Sequence, residues 1–316
     1  MADMKYTMKK PLKIGTRGSP LALAQAHETR ARLIKAHQFR EDELEIVVII
    51  TTGDKVQDRA LSEIGGKGLF TKEIEEALLS GSIDIAVHSM KDMPVDQPHG
   101  LLIDCFLERE DPRDGFVSQH TDALANLEQG AVVGTSSLRR KAQILARRPD
   151  LDVVEFRGNV QTRLRKLSDG VAQATFLAMA GLNRLNGGPV PVTPLAPEHM
   201  LPAVAQGTIG IERRADDAAT AELLAAIHHT PTGQRLAAER AFLAALDGSC
   251  QTPIAALAEI DADRLRLRGE ILRPDGSEVL AADVTCSIGE GAEIGLQMGQ
   301  ELRAQAGPGF FDHIAQ

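Results

Sequence analysis

The sequence predicts an α/β protein: two α/β domains with mixed sheets, then a smaller α+β domain of three antiparallel strands and helices. Three observations carry this. Strand and helix patterns alternate over the first two-thirds of the 316 residues. The alternation restarts near residue 110. The last part changes to helices around long alternating strands.

The elements follow in order. "LKIGTR" is a short strand, and "SPLALAQAHETRARLIKAH" opens a helix with Ser19 as N-cap and Pro20 at the first helical position. "LEIVVIIT" is a β-branched run, expected to be buried on both faces. The helix "FTKEIEEALLS" and the strand "IDIAVHS" complete a βαβ pattern, which implies a parallel or mixed sheet. Beyond "EREDPRDGF" come the strand "AVVGT" and the helix "SSLRRKAQILARR", ended by Pro149. The strand "DVVEF" precedes a helix from about Asn159 to Ser168, and "ATFLAMA" leads into "GLNRL". "GGPVPVTPLAPEHMLP" reads as a connection, and "GTIGIE" as one more strand. A helix over "DDAATAELLAAIHH" and another from Thr230 to just before Gly248 follow. "IAALAEI", "RLRLRGEI" and "EVLAADVTC" are the three antiparallel strands, with the turn "RPDGS" between the last two and a final helix after them.

Composition narrows the partners. At 43% apolar and 25% charged residues the chain is an ordinary globular sequence. No apolar run reaches the roughly 18 residues of a membrane span. "MADMKYTMKK" lacks the apolar segment of a secretory signal, so the expected location is the cytoplasm, with no membrane partner. The net charge of −9, the absence of Trp and the single Tyr argue against a nucleic-acid partner. Cys105, Cys250 and Cys286 fit no zinc spacing, and no second histidine stands at ligand spacing from His88, so no metal is expected. Cys250 alone sits in a loop of small and polar residues, "LDGSCQTP", where reactivity explains it better than packing.

Arginine concentrates where βα units turn. "GTSSLRRK" sets Ser136 and Ser137 at a strand-to-helix corner with Arg139 and Arg140 in the first turns. Free helix N–H groups and bidentate guanidiniums both bind carboxylates and phosphates. "FRGNVQTRLRK" repeats the design, with Arg157 at the end of a strand and Arg163 one turn into a helix. "IGTRGSP" supplies Arg17 and Ser19, and "GLNRL" supplies Arg184. A single arginine is as readily a surface ion pair. Four corners of one design at strand ends imply a polyanionic ligand. "AVHSMKDMP" puts Lys91 and Asp92 just past a strand, where a carboxylate can hold an N–H group and stabilise a developing cation, or simply cap a turn. His88 reads as a packed core histidine. "IGGKGLF" is no phosphate-binding P-loop; a lid carrying Lys67 suits it better.

"HSMKDMP", "EREDPRD", "GTSSLRR", "RGN", "AGLNRL", "LPAVAQGTIGIE" and "GSCQTP" occur in this order. Together they resemble the porphobilinogen deaminase (hydroxymethylbilane synthase) family from about Leu12 to beyond Pro253. The resemblance implies two domains like periplasmic binding proteins and a third carrying the cysteine. Their expected bounds are residues 1–107 with a returning segment 205–227, residues 108–204, and residues 228–316. It also implies the reaction, in which four porphobilinogen molecules join head to tail with loss of ammonia and water releases hydroxymethylbilane. A dipyrromethane cofactor would be bound by a thioether to Cys250. The implied catalytic residue is Asp92. Lys91, Ser136, Ser137, Arg139, Arg140, Arg163 and Arg184 would hold the cofactor, and Arg17, Ser19, Arg157 and Lys67 the substrate. Each ring carries an acetate and a propionate, a polyanion suited to arginine corners. A monomer is expected. Glu63 stands where the family often has lysine, Gln173 where aspartate is common, Ser249 for a glycine, and Ala205 where glycine is usual. Two other readings of the residues were a non-catalytic cytoplasmic anion receptor of the same two-lobed fold, and a thiol hydrolase using Cys250, for which no well-placed histidine exists.

Overall fold

The computed structural model describes residues 10–55, 71–185, 191–248, 252–307 and 309–310. The chain divides into two compact units, Met1–Arg109 with Thr208–Gly233, and Glu110–Gly207 with Gln234–Gln316.

The first unit holds β1 (Leu12–Thr16), α1 (Pro20–His37), β2 (Leu44–Val48), the short α2 (Thr52–Lys55), α3 (Lys72–Leu79), β3 (Ile85–Ser89) and β4 (Leu101–Phe106). β10 (Ile209–Arg214) and α7 (Ala218–Ala225) return to it from later in the chain. The sheet order is β2-β1-β3-β10-β4. β1 pairs in parallel with β2 and β3, and β10 runs antiparallel between β3 and β4. Ser19 caps α1 by accepting the Ala22 N–H, with Pro20 in the first turn, as the sequence requires. One face of the sheet packs Ile14, Ile85, Val87 and Ile211 with Leu33 of α1 and Leu224 of α7.

One expectation fails here. The "LEIVVIIT" run forms an edge strand and a short extension, so it is not buried on both faces: Val48 at the end of β2 is 51% exposed and Ile50 just beyond it 64%. A β-branched run reports strand propensity, and its place in the sheet is fixed by pairing that no local pattern records. β4 also goes unannounced in the sequence reading.

The second unit contains β5 (Asp114–Ser118), β6 (Val132–Gly134), α4 (Leu138–Arg147), β7 (Asp152–Val154), α5 (Val160–Ser168), β8 (Ala174–Ala178), α6 (Met179–Arg184) and β9 (Val192–Pro194). Its mixed sheet runs β7-β6-β8-β5-β9. β9 lies inside the Pro-rich stretch read as a plain connection. Pro191 and Pro194 bracket a short edge strand there, the position a proline-rich strand can occupy.

The same unit continues from Gln234 with most of α8 (Thr230–Ala245), then β11 (Ile254–Asp261), β12 (Arg264–Leu272), β13 (Val279–Ser287) and α9 (Gly291–Ala306). The three strands form the predicted antiparallel sheet β11-β12-β13. Glu239 of α8 is fully buried and takes the Ala205 N–H at 2.7 Å and the Ala258 N–H at 2.8 Å, one on each oxygen. Ala205 adopts φ = 60°. That left-handed conformation is one a glycine would adopt without strain. Gln173 has a structural task as well: its Oε1 accepts the Val132 N–H at the start of β6, at 2.6 Å.

Candidate functional site

In the first unit the predicted residues gather where β1 and β3 end. Arg17, Ser19, Gln25, Thr71, His88, Ser89 and Asp92 line a small open concavity of about 90 Å³. Asp92 closes a 3-10 turn, Met90–Asp92, directly after β3. The turn is anchored from β10. The Met90 N–H donates to the Thr208 carbonyl at 3.0 Å, and Met90 Sδ lies over Gly210, 2.1 Å from where a Cβ would stand. Glycine at 210 is thus the condition for the turn to sit where it does. Asp92 is exposed, and Lys91, Arg17 and Ser19 are half-buried. Gln25 and Ser89 share a hydrogen bond at 2.8 Å across the floor.

His88 is not a bare core residue. Its Nε2 lies 3.0 Å from Oε2 of Glu212, a carboxylate with no exposed surface. Burial raises the nearby Glu75 carboxyl above its ordinary range, with the Thr71 hydroxyl opposing that shift and the Glu212 charge adding to it.

In the second unit the corner "GTSSLRR" is built around one buried carboxylate, Asp114, while the arginines of "FRGN", the helix after it and "GLNR" have other partners. Ser137 caps α4 by accepting the Arg140 N–H at 3.4 Å, while Ser136 Oγ accepts the Phe156 N–H at 3.1 Å. Arg139 and Arg140 are both buried and both pair with Asp114, at 2.7 Å and 2.6 Å. Arg140 also donates to the Phe176 carbonyl, and Gln206 donates to Asp114 at 3.0 Å. Burial alone would raise the Asp114 carboxyl, but the two guanidiniums hold it well below the usual range. Burial pulls Arg139 downward, against the pull of Asp114. The sequence reading presented both arginines as ready anion donors; the structure gives them an internal counter-ion. Asp114 and Gln206 stand in "EREDPRD" and "LPAVAQGTIGIE", segments that carried the family resemblance, but neither residue was given a role. Nothing local shows a carboxylate or an amide to be the partner of arginines far along the chain.

Arg163 differs from that pair. Its Nε donates to the Gly158 carbonyl at 2.9 Å, and among the described residues it has no carboxylate at ion-pair distance. Burial, then the neighbouring Arg140 charge, lower it to about 10, with Glu155 opposing. Arg157 lies three residues past the end of β7, not on it as expected. Its Nε is 3.8 Å from Glu155, and its Nη1 is buried without a hydrogen-bond partner among the described residues. Arg184 donates to the Gly207 carbonyl at 3.1 Å. Lys67 and Cys250, with Glu63 and Ser249, lie outside the described residues.

The face therefore offers excess positive charge with buried donor atoms unused, next to hydroxyls and a helix start. That donor set fits a ligand with several carboxylates. Comparison with known proteins names such a ligand. Residues 12–222 match the porphobilinogen deaminase, dipyromethane cofactor binding domain model, and residues 234–304 match the porphobilinogen deaminase C-terminal domain model. The chain belongs to the porphobilinogen deaminase family. A porphobilinogen deaminase of Paracoccus denitrificans is 67% identical over 302 residues, 96% of each chain. Among solved structures, a probable amino-acid ABC transporter extracellular-binding protein of Bacillus subtilis shares 11% identity over 69% of this chain and 90% of its own, with a TM-score of 0.43. A periplasmic binding protein of Salmonella typhimurium shares 15% over 69% and 92%, at 0.39. At these TM-scores the likeness is loose, and the mixed-sheet architecture stands on the strand orders themselves. Membership of the deaminase family supports the enzyme over the non-catalytic receptor. No described helix is long and apolar enough to cross a membrane.

Proposed function

We propose that the chain performs the reaction of its family with Asp92 as its catalytic carboxylate and with dipyrromethane held on Cys250. The reaction joins four porphobilinogen molecules into hydroxymethylbilane with release of ammonia, a transferase step of porphyrin biosynthesis. The observation that carries this is the 67% identity to a porphobilinogen deaminase across 96% of the chain. The three expected domains, with Cys250 on the third, a monomeric state and a cytoplasmic location belong to the same reading.

The residues present suit the cofactor. Arg163, with no carboxylate at ion-pair distance among the described residues, and Arg157, whose buried Nη1 has no hydrogen-bond partner among them, supply cations for acetate and propionate groups. Arg139 and Arg140, fixed by Asp114, add to these cations, with Ser136, Ser137 and Arg184 as further donors of the same unit; Lys91 is assigned to the cofactor by the family resemblance. When bound, the dipyrromethane supplies the pyrrole terminus from which the chain grows. Arg17 and Ser19, with Lys67 and Arg157, hold the carboxylates of incoming porphobilinogen. Asp92, set among donors in an open concavity, accepts the pyrrole N–H. It stabilises the positive charge that develops on the substrate as its C–N bond to ammonia breaks.

The test is Cys250→Ser, produced in a haem-making host and examined by intact mass and by bilane formation. The parent chain is expected to carry the mass of two pyrrole units, and the variant to fold, carry none and make little product. A variant that forms bilane at the normal rate sinks the reading.

A further inference from the structure

The third sheet reaches the arginine face through one side chain. Gln143 lies on α4, four residues after Arg139 and so on the same helix face, and it is fully buried. All of its amide is engaged. Its Oε1 accepts from Arg139 Nη1 at 3.3 Å. Its Nε2 donates to the Leu201 carbonyl at 3.1 Å and to Glu270 Oε2 at 2.9 Å. Glu270 is in β12, and its other oxygen lies 3.4 Å from Arg147 of α4. The Glu270 charge also favours the ionised form of Arg139. A second contact fixes the same two elements. Gly276, in the β12–β13 turn with φ = +74°, packs directly on the α4 backbone: a Cβ there would stand 2.4 Å from Ala146 N and 2.9 Å from the Ala142 carbonyl oxygen.

A buried glutamine with every polar atom committed has one orientation. The guanidinium bonded to it is held jointly: the same Arg139 Nη1 lies 2.7 Å from Asp114 and donates to the Leu201 carbonyl at 2.9 Å, and Gln143 is the partner that links it to the third sheet. We propose that Gln143 and Glu270 are positioning residues: the third sheet sets the aim of Arg139 toward the anionic side chains of the cofactor through the chain Glu270–Gln143–Arg139. The inference deepens the proposed function and rests on its placing Arg139 against the cofactor. Its consequence is that the sheet following the tether loop and the helix carrying the guanidinium pair keep one fixed register.

Glu270→Ala, Glu270→Gln, Arg139→Ala and the double variant Arg139→Ala/Glu270→Ala test it. Three quantities are read: the fraction of purified chain bearing the dipyrromethane mass, the KM for porphobilinogen, and the melting temperature. Glu270→Ala should lower the cofactor-bearing fraction at least threefold and raise KM about fivefold or more. Glu270→Gln keeps an acceptor for Gln143 Nε2 and should restore both. The double variant should be no worse than Arg139→Ala alone, since positions acting through one group are not additive. Parental loading and KM in Glu270→Ala, beside an impaired Arg139→Ala, overturn the positioning role. Parental loading in Arg139→Ala overturns the placement of Arg139 and this inference with it. If Glu270→Ala does not fold, Glu270→Gln with loading as poor as Arg139→Ala overturns the role of the hydrogen bond.

Discussion

The two sets of predicted residues face opposite electrostatic problems. In the first unit a single exposed carboxylate, Asp92, stands at an open concavity among donors. Its charge stays close to water and needs no internal partner. In the second unit two cations, Arg139 and Arg140, are withdrawn from water, and a withdrawn guanidinium needs a counter-charge. Asp114 supplies one charge for two arginines. Arg163, left outside that arrangement, is held at about 10 by burial and by Arg140. The difference teaches where ligand carboxylates have most to contribute: at the cations the protein has not itself neutralised.

The largest effect that would break this contrast is Asp114→Ala. It strands two buried guanidiniums and should cost about 3–5 kcal/mol, read from the urea midpoint. If stability stays within about 1 kcal/mol, the shared counter-ion is not what holds the pair. The pH dependence has a definite sign. The Asp114 carboxyl is depressed on folding, so its contribution is complete above the unfolded value near 3.9. It is lost as pH falls further, through the folded value. The gap between parent and Asp114→Asn should stay constant from about pH 5 to 8 and shrink below about pH 4.

Next comes Asp92→Ala: with the side chain exposed, the proposed charge-stabilising role predicts a kcat lower by about 10²–10³ and an unchanged melting temperature. A parallel loss of stability would mark Asp92 as a turn cap instead. Smaller and opposite in sign is Arg163→Gln. Removing a cation whose ionised form is disfavoured by burial should raise cofactor-free stability slightly while weakening cofactor retention. Stability and retention falling together would show Arg163 to be an ordinary structural arginine. Ala205→Gly should gain up to about 1 kcal/mol by relieving φ = 60°, an effect visible in thermal melts. Least of all, Arg266→Ala, which removes an exposed pair with Asp283, should change stability by less than about 0.5 kcal/mol.

Much of this was legible in the sequence for local reasons. The Ser19 cap, the Ser137 cap and the β12–β13 turn are short-range chemistry, and each forms where the residues ask for it. The edge position of β2 and the strand inside the Pro-rich stretch were not legible, because they depend on partners far along the chain. At the site, the arginine corners announced themselves by composition. Their counter-ion did not, since Asp114 lies 25 and 26 residues before the arginines it holds (139 − 114 and 140 − 114). Gln143 and Glu212 were equally silent: a neutral amide and an acid within a strand carry no signal until their partners appear.

The strand order of the first sheet bears on synthesis. β10 is the ladder partner of β4 and lies between it and β3, yet it is made about a hundred residues after β4 (209 − 106 = 103). A ribosome must therefore release the chain through Arg214 before that sheet can close. Until then the nascent polypeptide carries two unsatisfied strand edges, while the whole second sheet, β5 to β9, has already emerged. Translation should thus yield the middle of the chain as a folded body before its beginning.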